Sequence, residues 1–139
     1  MEKPELSKKS PYWISKHRYY ELKHFCLQYP SWKQELAALT TPTTESRLDE
    51  IIRNGKKSAK DYRPVEDEVM RTINLKQHIL LIEQLTEKID PVLGRYLLKG
   101  VTEERPYESL RVLYDIPCNR AEYYDLYRKF FWLLSQKRD

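Results

Sequence analysis

An all-α fold is the prediction from this sequence, and three observations carry it. Only 3 of the 139 residues are glycine, too few for a turn-rich β protein and too few for a phosphate loop. Leu, Glu, Lys, Arg, Tyr and Ile dominate the composition, a set rich in strong helix formers. Apolar residues recur at intervals of three and four, and no stretch shows the alternation of a half-buried strand. A hydrophobic fraction of 40% supports a core, while 33% charged residues imply a heavily solvated surface. The length suits one ordinary domain, or one domain with an appended arm. Two regions are expected: 1–63, helical and ending in a basic linker, and 64–139, a long central helix followed by a helix-turn-helix at 106–136.

The first helix is expected over 11–28. Ser10 supplies a capping oxygen, and Pro11 lacks only an N–H that the first turn leaves unpaired anyway. Leu22, Phe25, Cys26 and Tyr29 follow the i, i+3, i+4, i+7 spacing of a buried face. Pro30 is expected to end this helix. Ser31 and Gln34 then have the spacing of a capping box for a short helix through Leu39, with Trp32, Leu36 and Leu39 on its apolar side.

The stretch "TTPTTESRLDEIIRNGKKSAKDYRP", 40–64, reads as a linker holding a short helix in "ESRLDEIIRN", closed by Gly55. Pro64 opens the longest helix, 65–89, whose Val69, Ile73, Leu75, Ile79, Ile82, Leu85 and Ile89 fill slightly more than one face. Leu75, Ile82 and Ile89 recur every seven residues, so this helix is a candidate seam for a homodimer as well as a core element. Asp90-Pro91 breaks it, and three further helices are expected at 91–99, 106–114 and 119–136.

The formal net charge is +4, a mild excess compatible with nucleic acid and not diagnostic of it. Its placement says more. The densest basic run is "RNGKKSAKDYR", 53–63, with five basic residues and one acid. Lys56, Lys57 and Lys60 there form either a solvated linker or a phosphate-contacting arm. The cluster Tyr12, Trp13, Tyr19 and Tyr20 either stacks on single-stranded bases beside Lys16, Arg18 and Lys23, or packs in a core or docking face; packing is the commoner use of such residues.

The segment "YESLRVLYDIPCNRAEYYDLYRKFFWLL", 107–134, carries the most information. Two apolar-periodic runs meet across Ile-Pro-Cys-Asn, too short a link for anything but a tight turn. A helix-turn-helix needs such a turn, with an apolar residue inside it to plug the core. Here 107–114 is the scaffold helix, with Leu110 and Leu113 inward. Ile116 is the plug, Pro117 stops the first helix and Asn119 caps the second. Tyr123, Tyr127, Phe130 and Leu134 form the buried stripe of that second helix, widened by Leu126 and Leu133. Arg120 and Tyr124 are left on its other side within the first two turns, where base edges are met; Arg128 and Lys129 lie further along, suited to phosphates. The plainer alternative is an αα-hairpin in a helical bundle with solvated arginines.

The longer segment 82–136 resembles the C-terminal DNA-binding domain of bacterial sigma factors. There a helix ends in a Leu-Arg-Tyr type segment, a loop with glycine follows, and an aromatic residue opens the scaffold helix. The corresponding places here hold Gly94-Arg95-Tyr96, Gly100 and Tyr107. Phage-encoded transcriptional regulators of the RinA and ArpU type carry this domain behind a helical N-terminal half, and the start "YYELKHFCLQYPSWKQEL" is similar to such proteins. The resemblance implies double-stranded DNA as a partner, with Tyr107 and Arg105 beside Asn119, Arg120, Tyr124, Arg128 and Lys129 at the interface, and RNA polymerase or another host protein as a second partner. The sequence departs from that pattern in Pro117 and Cys118 at the turn, and in Glu122 and Asp125 at the start of the recognition helix. Those acids require local partners, Asp125 with Lys129 at i+4 being the nearest.

Other chemistry finds little support. His17, His24 and His78 do not converge, and Cys26 and Cys118 lack metal-ligand spacing, so both cysteines read as small buried groups and no metal or cofactor is expected. No nucleophile elbow, P-loop or zincin motif occurs, and Glu66 to Glu68 are explained by the helix dipole, so no enzyme is expected. The start "MEKPELSKKS" lacks the apolar stretch of a signal peptide and no run of about 18 apolar residues exists, which points to the cytoplasm and away from a membrane partner. Two functions remain: a sequence-specific DNA-binding transcriptional regulator such as a phage late-gene activator, and an interaction or assembly protein, such as a small terminase-like subunit or an inhibitor of a host protein.

Overall fold

The computed structural model of the protein describes residues 11–39 and 62–138. Six α-helices occupy them: α1 (Lys16–Leu27), α2 (Tyr29–Leu39), α3 (Tyr62–Ile89), α4 (Gly94–Glu103), α5 (Tyr107–Tyr114) and α6 (Arg120–Lys137). No strand occurs among the described residues, so the class is all-α as expected. No helix among them is long and apolar enough to cross a membrane. The expected short helix at 45–54 and the basic run 53–61 lie outside the described residues.

Several boundaries differ from expectation: α3 starts at Tyr62 rather than 65, α4 ends at Glu103 rather than 99, and three further shifts have a local chemical cause. Helix α1 starts at Lys16, because Ser15 rather than Ser10 is the cap: its backbone is extended and its Oγ accepts the Arg18 N–H at 3.1 Å. The break before α2 falls at Gln28, not Pro30. Pro30 is the second residue of α2, where its missing N–H has no helical acceptor to lose, and this puts Ser31 inside the helix instead of at its cap. Helix α4 starts at Gly94, three residues later than expected. The Asp90 carboxylate accepts the N–H groups of Val92 and Leu93 at 2.8 and 2.9 Å, holding 90–93 in a turn.

The described residues fall into two compact units, 11–30 with 81–138 and 31–39 with 62–80. In the first, α1 packs on α4 and α6, and α5 packs on both α4 and α6. Leu22 and Cys26 of α1, Leu97 of α4, Leu110 of α5 and Phe130 and Leu134 of α6 are all closed to solvent. The first described helix therefore belongs with the C-terminal helices. In the second unit, Glu35 of α2 pairs with Arg71 of α3, and Trp32 lies against His78 with ring centroids 5.0 Å apart.

The long helix α3 shows a correction of face. Leu75, Ile79, Ile82 and Leu85 are buried, but Val69 and Ile73, expected with them, are exposed together with Met70 and Leu80. At roughly 100° per residue the two sets lie on opposite sides of the helix, and the seven intermingled apolar positions of the sequence do not form one stripe. Leu75 and Ile82, two of the three residues of the expected dimer seam, are occupied by the protein's own core.

Candidate nucleic-acid interface

The hairpin of α5 and α6 is held by its turn at three points. Asp115 adopts a left-handed conformation (φ 52°), which ends α5 and returns its N–H to the Arg111 carbonyl at 3.1 Å. Ile116 is buried as the expected plug. Asn119 and Glu122 form a reciprocal capping box: Asn119 Oδ1 accepts the Glu122 N–H at 2.8 Å, and Glu122 Oε1 accepts the Asn119 N–H at 3.2 Å. Glu122, one of the two acids at odds with the expected recognition helix, thus has a capping role.

Tyrosines clamp the same turn from inside. The Tyr107 hydroxyl donates to the Cys118 carbonyl at 2.6 Å, and the Tyr107 N–H donates to the Tyr124 hydroxyl at 3.3 Å. Tyr107 is 9% exposed and Tyr124 only 6%, so neither of these expected DNA contacts reaches the surface. The reason is the width of the buried sector of α6. One flank meets α5 through Tyr124 and the other meets α1, where the Tyr127 and Tyr19 hydroxyls are hydrogen-bonded at 2.7 Å. Burial, before any neighbouring group, pushes Tyr123 and Tyr127 above the ordinary tyrosine range, so both stay protonated.

The remaining expected site residues are partly dispersed. Arg120 is exposed in the first turn of α6, ion-paired with Glu108 of α5 and lying 5.1 Å from the Tyr124 ring centroid. Arg128 and Lys129 are half-buried two turns on. Arg128 takes Asp125 at 3.1 Å, in place of the expected Asp125–Lys129 pair. Arg105, in the α4–α5 link, donates through Nε to Glu103 at 2.7 Å and through a terminal nitrogen to Ser109 Oγ at 3.3 Å. Asn119 is exposed but committed to its cap. Lys56, Lys57 and Lys60 lie outside the described residues.

Two features have no signal in the sequence. Glu108 and Arg120 are twelve residues apart, and only closure of the turn brings them together. Lys99 and Arg105 both approach the face of Tyr114, at 4.8 and 5.8 Å from its centroid, which adds two cations on the α4–α5 side. Leu113, expected inward, is 57% exposed beside Val112 at 71%. Tyr107, Leu110 and Tyr114 form the inward row of this two-turn helix, and Leu113 lies roughly 100° round the helix from it.

Of the N-terminal aromatics, Tyr12 and Tyr19 pack against α6, whereas Trp13 is 36% exposed. Tyr12 meets the Trp132 ring edge-on at 5.6 Å, and Tyr19 lies 5.1 Å from Phe131. Cys26 is buried, whereas Cys118 is half-buried, its thiol pushed up by burial and then by the Glu122 and Asp90 carboxylates. No group of three or more His, Cys, Asp or Glu suited to a metal ion occurs among the described residues. Comparison of the chain with models of protein families, with curated proteins and with solved structures finds no match in any of the three.

Proposed function

We propose that the protein is a sequence-specific double-stranded DNA-binding transcriptional regulator whose reading head is the α5–turn–α6 hairpin. The observation that carries this reading is the locked turn, with Ile116 as plug and the Asn119–Glu122 box presenting Arg120 from the exposed first turn of α6. A recognition helix needs this rigidity, since base readout requires a side chain fixed relative to the duplex. Arg120 is the base-reading candidate, and Lys129, Arg128 and Arg105 are the candidate phosphate contacts. The resemblance to RinA- and ArpU-type regulators specifies the reading as a phage late-gene activator working in the host cytoplasm, with RNA polymerase as its protein partner.

Selection of bound fragments from a random duplex pool, followed by titration at several salt concentrations, tests this. Wild-type binding should fall steeply as salt rises. Arg120→Ala should cost about 1–3 kcal/mol on the selected site and blur preference at one base pair. Arg120→Ala binding with wild-type affinity and preference refutes the recognition-helix assignment.

A second reading is favoured by one observation. Val112 and Leu113 stand exposed side by side on α5, as on a surface that meets another protein. An assembly or inhibitory protein of this kind predicts negligible binding to random duplex at low salt.

A further inference from the structure

We infer that Glu108 is a specificity-determining residue of this reading head: its carboxylate holds the Arg120 guanidinium in the unbound protein and competes with DNA for it. The inference rests on the DNA-binding reading above and adds a residue that neither the helical pattern nor the resemblance assigns.

The geometry is specific. Glu108 lies in the first turn of α5 and Arg120 is the first residue of α6, so the two helix starts face each other across the turn. A terminal nitrogen of Arg120 donates to Glu108 Oε2, while the Tyr124 ring lies 5.1 Å from the guanidinium carbon. Tyr124 is itself fixed by the Tyr107 N–H. Arg120 is therefore held between the ring of the buried Tyr124 and the exposed Glu108 carboxylate. The Glu108 carboxyl lies below its ordinary range, first through its own backbone N–H and then through Arg120, with Arg111 adding to the effect.

Both partners are exposed, and an ion pair at the surface is weak enough to exchange. Guanine offers a guanidinium two acceptors, O6 and N7, in a planar fork that replaces the carboxylate well. A base pair without that fork leaves Arg120 the choice of keeping Glu108 or losing its acceptor. Glu108 thus lowers affinity for the selected site by the strength of the ion pair that must break there, while a site without the fork can leave the pair intact, so the carboxylate tempers how strongly Arg120 discriminates.

The test is a double-mutant cycle on duplex binding, using the full chain and both a selected site and a variant of it changed at the pair read by Arg120. Glu108→Gln should raise affinity for the selected site by about two- to fivefold, the size of one exposed ion pair, and raise it less for the changed site, where the pair need not break. The same substitution in an Arg120→Ala background should change neither, and the thermal midpoint should stay close to the wild-type value. Equal gains in both backgrounds overturn the inference, because Glu108 would then act only as a negative charge near phosphate. No gain in the wild-type background overturns it as well. A wild-type protein that binds no duplex at low salt overturns the DNA-binding reading itself, and that failure is visible before any variant is made.

Discussion

Gly100 lies close against the side chain of Tyr123, and the structure allows the energetics of filling that space to be worked out. A Cβ added at Gly100 would lie 1.8 Å from the Tyr123 hydroxyl oxygen and 3.1 Å from Cζ. Ordinary carbon–oxygen contact begins at roughly 3.3 Å, so the oxygen would overlap by well over 1 Å. The ring has nowhere to go: Tyr123 is 1% exposed and lies among Tyr107, Tyr124 and Tyr127, with centroids 5.0 to 6.1 Å away. Its hydroxyl is also buried without a hydrogen-bond partner among the described residues. Overpacking of this kind costs about 1–3 kcal/mol, and can cost more. Alanine recovers about 1 kcal/mol through helix propensity within α4. Tyr123→Phe removes both the clash and the unsatisfied group, so it should be neutral or stabilise by about 1 kcal/mol. In that background the nearest atom is Cζ at 3.1 Å, a tight contact that a few tenths of an ångström relieves, and Gly100→Ala should cost much less than it does with tyrosine at 123. Urea unfolding of the four proteins measures the coupling, which should be about 1–3 kcal/mol in favour of the double mutant, the propensity gain being common to both backgrounds. An equal loss for Gly100→Ala with Tyr or Phe at 123 would refute the argument, since the hydroxyl would not be the obstacle.

Two further outcomes follow from the caps and ion pairs. Asn119→Ala should destabilise the protein by about 1–2 kcal/mol by unfolding measurement, because both halves of the capping box are lost, and Asn119→Asp should retain most of that; equal losses would remove the cap from the account. Lys23 and Glu104 pair at 2.8 Å between α1 and the end of α4, and the Lys23 ammonium holds the Glu104 carboxyl below its usual range. A depressed carboxyl stabilises fully above its unfolded value, about 4.3, and the contribution disappears as pH falls through the lower folded value. With Glu104 largely exposed, solvent screening keeps this below about 1 kcal/mol. Glu104→Gln should therefore lower the melting temperature slightly near pH 6 and converge with the wild type towards pH 3; a constant difference over that range would exclude the pair as its source.

The element order was legible because the sequence punctuates it with residues whose chemistry is local. Asp90-Pro91, Asp115 to Pro117 and Asn119 each stop or start a helix through their own backbone demands, and α5 and α6 begin within one residue of expectation. Ser10 against Ser15 was not decidable in this way. Both can cap, and the choice follows from how α1 must enter the core formed with α4 and α6. Pro30 illustrates the same point from the other side, since proline both ends helices and suits their first turn.

Faces were harder to read than elements, and the site depends on faces. A stripe at 0, +4, +7 and +11 identifies the centre of a buried sector but not its width. Helix α6 lies between α1 and α5, so its buried sector extends on both sides and takes in Tyr124 and Phe131. Tyrosine conceals this in the sequence, because its ring suits a core and its hydroxyl suits a surface. Here the hydroxyls of Tyr107, Tyr124 and Tyr127 are spent on the turn and on Tyr19, and the aromatic residues stiffen the hairpin from within. What is left outside at the start of α6 is one arginine with its carboxylate partner, flanked by a capping glutamate. On the proposed DNA-binding reading, a hairpin built this way has few side chains with which to recognise bases. Its selectivity then depends on the acceptor that Arg120 leaves as much as on the one it finds.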